Sequence, residues 1–369
     1  MSDAGWLYRK AVLIGVGLIG GSMGMALRER NLVKELWGYD QRPEVLIKAL
    51  AKGAIDRATP KLEEAVMDAD LVILAAPVRQ SVALLAEIAP LLKEEATVTD
   101  VCSTKKIIVM EAFRVGIARS FIGGHPMAGS ERAGVTAASS ILLENAIYIL
   151  TPVKETDQGK LACFKQLIYG IGAQPLILSS AEHDLLTAQV SHLPHLAAVA
   201  LVEAVRKSSG NGEKALTLAA GGFRDTTRVA MSNPEIWADI CLTNKEAILK
   251  VLPFFYRELE RLQRLICSGK EGELKTVFAE ARSFRERVPY RGKGILPPLY
   301  ELILLVPDSP GVIGKVATLL GEAGVNIAEI EILRVREQEG GMRLAFRDEE
   351  ERLAAFEILK KYEYKVYRK

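Results

Sequence analysis

From residue 8 to about residue 177 the chain alternates short apolar runs with amphipathic stretches. Residues 11–14 and 36–40 read as strands, as do 71–76, 96–101, 120–123 and 146–150. Short apolar runs without alternation mark strands buried on both faces, and the amphipathic stretches between them supply the covering helices. This order predicts a mostly parallel sheet with helices on both sides. From residue 180 to about 287 the strand pattern disappears. Helical spacing takes over across 182–207 and again across 234–267. Pro194 interrupts the first of these stretches. It has no N–H and its ring crowds the preceding turn, so a kink or break is expected there.

Residues 288–298 are rich in Pro and Gly and have linker composition. Beyond them the pattern predicts a strand at 300–306, a helix at 310–323, a hairpin over 327–336 and 342–346, a helix at 349–361 and a last strand at 364–367. That is the β-α-β-β-α-β order of ferredoxin-like domains. It spans about 70 residues, a size that often needs a partner sheet to be stable.

The first strand runs into Gly15-Val16-Gly17-Leu18-Ile19-Gly20-Gly21-Ser22, and helical spacing follows. In such a turn the first glycine permits the tight bend, the second lets the backbone approach a pyrophosphate, and the third lets helix pack on strand. A lone G-x-G-x-x-G is weak evidence. Here a strand precedes it, a helix follows, and the acid Asp40 ends the second strand about 20 residues on. A carboxylate there accepts from an adenosine ribose and repels a 2′-phosphate, which favours NAD over NADP. Arg42 pulls the other way, because a nearby arginine accommodates that phosphate.

Composition narrows the remainder. A net charge of +2 with 25% charged residues gives no electrostatic case for nucleic acid or a membrane surface. The apolar run after Arg9-Lys10 superficially resembles a signal peptide, but Gly15, Gly17, Gly20, Gly21 and Gly24 interrupt it. No later segment reaches the ~18 consecutive apolar residues of a membrane span. Cys102, Cys163, Cys241 and Cys267 are scattered with no metal-ligand spacing, so no metal is expected and a reducing cytoplasm fits.

There are four histidines. His125 lies in Gly123-Gly124-His125-Pro126-Met127-Ala128-Gly129-Ser130-Glu131, and His192 and His195 lie in Ser191-His192-Leu193-Pro194-His195. Histidine exchanges protons near neutral pH, and the Gly and Pro around His125 suggest an irregular backbone holding a functional group. For His183 a surface or satisfied-core role is the favoured reading. Asp100-Val101-Cys102-Ser103-Thr104-Lys105 ends a strand, where ligands of open α/β sheets bind, so Ser103 and His125 can meet at the nicotinamide end of the cleft. Oxidising an alcohol by hydride transfer needs a base for the hydroxyl proton. His125 is the candidate and Ser103 orients it; an N-cap role for Ser103 is an equal reading. Farther on, Gly221-Gly222-Phe223-Arg224-Asp225-Thr226-Thr227-Arg228 sets two arginines four apart, with Trp237 beyond. A solvated helix face explains such a pair; a carboxylate pocket explains it together with the Gly-Gly entrance and the tryptophan.

These five ordered motifs, at 15–22, 100–105, 125–131, 191–195 and 221–228, resemble the prephenate/arogenate dehydrogenases of tyrosine biosynthesis. The resemblance runs from about residue 12 to about 287. Asp308-Ser309-Pro310-Gly311-Val312-Ile313-Gly314, with Gly324-Val325-Asn326-Ile327 after a helix, looks like an ACT domain, a regulatory amino-acid-binding module. The expected fold class is α/β: a Rossmann-type domain over 8–177, an all-α substrate and dimerisation domain over 178–288, a linker over 289–299 and a ferredoxin-like ACT domain over 300–369. The resemblance implies that His125 is the base on the substrate's ring hydroxyl, that Ser103 bridges it to the nicotinamide and that Arg228 holds the ring carboxylate. His195, Ser191, Arg224, Glu131 and Trp237 would line the rest of the pocket, and Gly15, Gly17, Leu18, Ile19, Gly20, Asp40 and Arg42 would hold NAD. Cys102 and Lys106 depart from the family pattern, where glycine is common at both places. The expected reaction is NAD-dependent oxidative decarboxylation of prephenate; the alternative is an arogenate or dual-specificity cyclohexadienyl dehydrogenase. A non-catalytic sensor or another β-hydroxyacid dehydrogenase is disfavoured, because Ser103, His125, Arg228 and the 191–195 segment are all present. In the tail, Asp308, Gly311, Val312, Asn326 and Ile327 are the expected regulatory contacts. Free N–H groups at that helix entry can receive an amino acid's carboxylate. A homodimer inhibited by tyrosine is expected, since small sheets commonly pair across a two-fold axis.

Overall fold

The computed structural model describes residues 5–129, 132–207, 212–288, 299–307, 309–334 and 339–368, and the chain divides into two units, Met1–Leu274 and Lys275–Lys369. In the first unit eight strands form one sheet in the order β3-β2-β1-β4-β5-β6-β7-β8. They are β1 (Tyr8–Ile14), β2 (Val33–Tyr39), β3 (Arg57–Thr59), β4 (Leu71–Leu74), β5 (Thr97–Asp100), β6 (Phe121–Pro126), β7 (Ile147–Thr151) and β8 (Gln174–Ile177). The first six are parallel. Strand β7 runs antiparallel to β6, and β8 follows β7 in parallel, so the far edge is reversed.

Alternate residues of β1 feed two cores. Leu13 packs with Met23 and Leu27 of α1 (Leu18–Glu29), Leu46 of α2 (Pro43–Ala51) and Phe164 of α6 (Gln158–Gly170). Val12 and Ile14 pack on the other face with Val66 of α3 (Leu62–Val66), Leu85 of α4 (Val78–Ile88) and Ile108 of α5 (Lys106–Arg114). Both faces of the sheet are therefore covered, as the apolar runs require.

The helical part begins with α7 (Ser180–Thr187), a π-helical turn (Ala188–His192) and α8 (Leu193–Lys207). Pro194 does not break this helix. The turn before it is widened by one residue, which absorbs the missing donor and the crowding of the ring. Short helices α9 (Gly212–Thr217) and α10 (Gly221–Thr227) and a 3₁₀ turn (Arg228–Met231) follow. The stretch expected as one helix over 234–267 is two, α11 (Pro234–Thr243) and α12 (Lys245–Cys267), meeting at Asn244. Helix α13 (Glu271–Glu286) comes next. The segment Ser180–Lys207 is long and apolar enough, by length and composition, to cross a membrane. Its buried positions, however, include His183, Asp184, Thr187, His192 and His195. Large apolar side chains remain uncovered on these helices, among them Val190, Met231 and Phe254.

The tail forms a four-stranded antiparallel sheet, β10-β11-β9-β12, from β9 (Tyr300–Pro307), β10 (Glu329–Arg334), β11 (Glu339–Phe346) and β12 (Lys365–Arg368). Helices α14 (Val312–Glu322) and α15 (Glu349–Lys361) pack Val316, Leu320, Ala355 and Leu359 against Leu302, Leu304, Met342 and Leu344. Gly311 precedes α14 with φ +86°, a left-handed conformation that favours glycine. Asn326 is exposed, and Val312 and Ile327 are half-buried. Asp308 lies outside the described residues.

Candidate active site

The N-terminal turn has the form of a dinucleotide cradle. Gly15 adopts φ +91°, and a Cβ there would sit 2.7 Å from the Ala75 carbonyl oxygen. Gly17 caps α1 with no side chain, and a Cβ on it would meet nothing within 4 Å, so the helix N-terminus opens onto free space. That is the geometry a pyrophosphate needs. Leu18 and Ile19, the first residues of α1, are half-buried, and a Cβ on Gly20 would sit 2.3 Å from the Gly15 carbonyl oxygen. Asp40, just past β2, is 8% exposed. Its carboxylate accepts from Val16 N at 3.4 Å and from Arg42 N and Nε at 3.0 and 3.2 Å. Arg42 is thus turned onto Asp40, an arrangement that suits an unphosphorylated ribose.

His125 is not on an irregular loop. It lies within β6, opposite Ile149 of β7. The glycines before it serve packing: a Cβ on Gly124 would lie 2.4 Å from the Asp100 carbonyl oxygen. Asp100 organises this end of the sheet. Its carboxylate pairs with the buried Lys105 ammonium and accepts from Gly124 N at 3.1 Å and Cys102 N at 2.9 Å, while Lys105 Nζ also donates to Gly124 O at 2.6 Å. The ion pair is fully desolvated, yet each partner has further hydrogen bonds, which such burial demands. It ties the 101–105 loop, with half-buried Ser103, to the strand that bears His125. Cys102 is buried, and burial together with Asp100 pushes its thiol pKa up, so it is inert.

The N-cap role open to Ser103 is taken by another residue. Asp184 of α7 accepts from Lys105 N at 2.7 Å and Lys106 N at 2.9 Å, the first N–H groups of α5. The same carboxylate accepts from His183 Nδ1 at 2.8 Å, and His183 Nε2 lies 2.7 Å from His125 Nδ1. Proton positions follow from the chain of partners. A carboxylate oxygen that accepts makes His183 Nδ1 the donor, so in the neutral ring Nε2 accepts, and His125 Nδ1 must donate to it. The lone pair of the chain is then on His125 Nε2. His183 is thus a satisfied core histidine, as expected, and its two bonds also link Asp184 to His125. A sign of this was legible in the sequence: His183, Thr187, Ser191 and His195 recur every fourth residue, setting polar groups along one helix face.

Burial, helped by His183, Lys105 and His192, holds the His125 pKa well below the usual imidazole value. Burial also lowers the His183 and His195 values, and takes His192 down to about 4. A histidine with a depressed folded-state pKa contributes stability that is present above its unfolded pKa of about 6.5 and is lost as pH falls through the folded value. With four such groups, Tm should drop continuously between about pH 6.5 and pH 4, and an unchanged Tm across that window would contradict the buried neutral histidines.

The other expected residues fall on the helical part. Trp237 stacks on His195 at 3.4 Å with 10° between the planes, and His192 meets the same indole edge-on at 6.0 Å. His195 Nδ1 is buried without a hydrogen-bond partner among the described residues, an atom that a ligand would satisfy. Ser191 is half-buried on the π turn. Arg224 and Arg228 are exposed, on α10 and at the start of the 3₁₀ turn that packs on α8. Glu131 lies outside the described residues. Polar links hold the helices to the sheet: Arg79 Nε to Asp239 at 2.5 Å, Thr104 to Thr243 at 3.1 Å, and Lys106 Nζ to Glu246 at 2.5 Å.

A dinucleotide cradle, a half-buried histidine with a free ring nitrogen at the adjoining strand end and an aromatic wall from a helical domain fit the class of nicotinamide-dependent dehydrogenases. Comparison with known proteins narrows this. Residues 23–177 match the nucleotide-binding domain of prephenate dehydrogenase, residues 179–280 its dimerization domain, and residues 300–363 the ACT domain. The chain is 37% identical to prephenate dehydrogenase of Bacillus subtilis over 96% of this chain and 97% of that one. It is 34% identical to cyclohexadienyl dehydrogenase of Zymomonas mobilis over 76% of this chain and 96% of that one. Among solved structures it resembles prephenate dehydrogenase from A. aeolicus in complex with hydroxyphenyl propionate and NAD+, with TM-score 0.72, 35% identity and coverage of 76% and 98%. The chain belongs to the prephenate dehydrogenase family.

Proposed function

We propose that His125 Nε2 is the catalytic base of an NAD-dependent prephenate dehydrogenase, and that the His125–His183–Asp184 chain is the observation that carries this assignment. Prephenate dehydrogenase activity is the reaction of this enzyme, with NAD as the oxidant. When bound, NAD accepts the hydride from C4 of the substrate ring. His125 Nε2 takes the C4 hydroxyl proton as that hydride departs, and Asp184, through His183, steadies the imidazolium that forms. Oxidation leaves a dienone whose C1 carboxylate is a vinylogous β-keto acid. Loss of CO2 makes the ring aromatic and leaves a phenolate, which takes the proton back from His125. The base is restored, and the products are 4-hydroxyphenylpyruvate, CO2 and NADH.

The substrate carries two carboxylates. Arg228 is proposed for the ring carboxylate, with Arg224, Ser191, His195, Trp237 and Glu131 lining the pocket and Ser103 bridging His125 to the nicotinamide. Gly15, Gly17, Leu18, Ile19, Gly20, Asp40 and Arg42 would hold the cofactor. Initial rates with prephenate and with arogenate, each with NAD and NADP, test this reading. Turnover of prephenate with NAD is expected to dominate, and absence of turnover with either substrate would end it. A cytoplasmic setting is proposed from the four free cysteines.

The working domains proposed are 8–177, 178–288 and 300–369, joined by a linker at 289–299. Family membership includes a dimerization domain and an ACT domain. The exposed apolar side chains of the helical part support a homodimer formed there. Tyrosine is the proposed inhibitor, bound by the ACT domain at Asp308, Gly311, Val312, Asn326 and Ile327. An enzyme truncated after Arg287 is expected to keep activity and lose tyrosine inhibition. Equal sensitivity in full-length and truncated enzymes would instead move inhibition to the active site, where tyrosine resembles the product.

A further inference from the structure

Asn244 is buried at the junction of α11 and α12. Its amide nitrogen lies 2.8 Å from the carbonyl oxygen of Asp184 and 3.1 Å from Nδ1 of His192. A carbonyl oxygen can only accept, so the amide must present its NH2 end to Asp184. The same nitrogen faces His192 and has no lone pair to offer, so it donates there as well. His192 Nδ1 is then an unprotonated acceptor, and in the neutral ring the proton sits on Nε2. His125 and His183 carry their protons on Nδ1, the opposite form. The junction that bears Asn244 is itself anchored to the loop beside His125, through Thr104 to Thr243 and Lys106 to Glu246.

We propose that Asn244 is a positioning residue: it holds His192 as the neutral Nε2–H tautomer, so that His192 stays a hydrogen-bond donor and His125 remains the one base of the site. The inference rests on the reading of His125 given above. Its physical content is a charge argument. Asp184 favours a protonated His192, whereas burial and the neighbouring His183 and His195 oppose it. An imidazolium at His192 would in turn oppose protonation of His125, which lies within its field, and would weaken the base. A donor on Nδ1 tips this balance toward the neutral ring.

With four histidines in the chain, the tautomer can be read directly. Long-range ¹H–¹⁵N spectra of full-length enzyme labelled at histidine nitrogens, assigned with single histidine variants, are expected to give His192 as Nε2–H from pH 8 to pH 5. A wild-type spectrum with His192 protonated on Nδ1 overturns the proposal, whether or not any variant folds. Asn244→Asp puts an acceptor where the donor stood. It is expected to move the His192 proton to Nδ1, to add an ionisation to the acid limb of kcat/KM, and to lower kcat about three- to tenfold, the scale of one neutral hydrogen bond. Asn244→Ala should lower kcat without adding that ionisation. A folded Asn244→Asp enzyme with the wild-type pH profile and His192 spectrum overturns the proposal and leaves Asn244 a structural role. Failure of the His125 reading gives a different result: His125→Asn would keep wild-type kcat, while the His192 spectrum stayed as expected.

Discussion

Replacing His125 with asparagine is expected to lower kcat for prephenate by about 10²–10⁴-fold, the range attributed to a positioned general base, with a small change in KM. Asparagine is close to imidazole in its first three heavy atoms, so an amide can still donate to His183 Nε2 where His125 Nδ1 did, at 2.7 Å in the parent. What it cannot do is accept and hold a proton. The strand should survive the change, because β6 is fixed by its ladder to β7 and by the Asp100–Lys105 pair rather than by the imidazole. The measurement is steady-state kinetics with saturating NAD across pH. In the parent, the acid limb should lie below the ordinary imidazole value, since burial lowers the His125 pKa and the base must be unprotonated to act. In the variant that limb should disappear along with most of the rate. A kcat equal to the parent's would remove His125 from the base role.

Arg228→Ala is expected to act on the other parameter, raising KM for prephenate about 10- to 100-fold with kcat little altered. The loss of a charge-assisted pair with a carboxylate costs about 1.5–3 kcal/mol, which converts to that range. A carboxylate anchor remote from C4 contributes similarly to ground and transition states, and such uniform binding appears in KM. Arg228→Lys keeps the charge and loses the planar fork, so an intermediate effect is expected. Arg224, one turn earlier on α10, supplies the comparison. A kcat loss in Arg228→Ala as large as that in His125→Asn would mean that Arg228 acts on the reacting atoms instead.

Much of the architecture is written in local patterns. Six of the eight sheet strands follow from apolar runs such as Leu71–Leu74, buried on both faces, whereas β3 and β8 are short or largely exposed and carry no such run. The tail follows from strands and helices whose periods change at the right places. Where expectation and structure part, the cause is in most cases a distant partner and at Pro194 a local one. The reversal of β7 cannot be read from residues 147–151, because parallel and antiparallel neighbours bury the same side chains. Helix 234–267 splits at Asn244 because that residue is held by Asp184 and His192, 60 and 52 positions away. Pro194 leaves the helix unbroken because the π turn before it yields instead.

The sequence by itself determined which groups were available: a glycine turn with an acid beyond it, four histidines, two arginines one turn apart, and the elements that carry them. Those features rest on local geometry and hydrophobic period, which neighbouring residues suffice to specify. Only the tertiary structure decided which histidine faces which. His125 was legible as a base, but not the lone pair that serves. That depends on His183 and Asp184, which approach from a helix some 58 residues on; the sequence suggested only a surface or core role for His183 and gave no sign of Asp184. A proton's position on a ring is set by the partner at its other nitrogen, and partners are chosen by the packing of helix on sheet, to which no local pattern gives access.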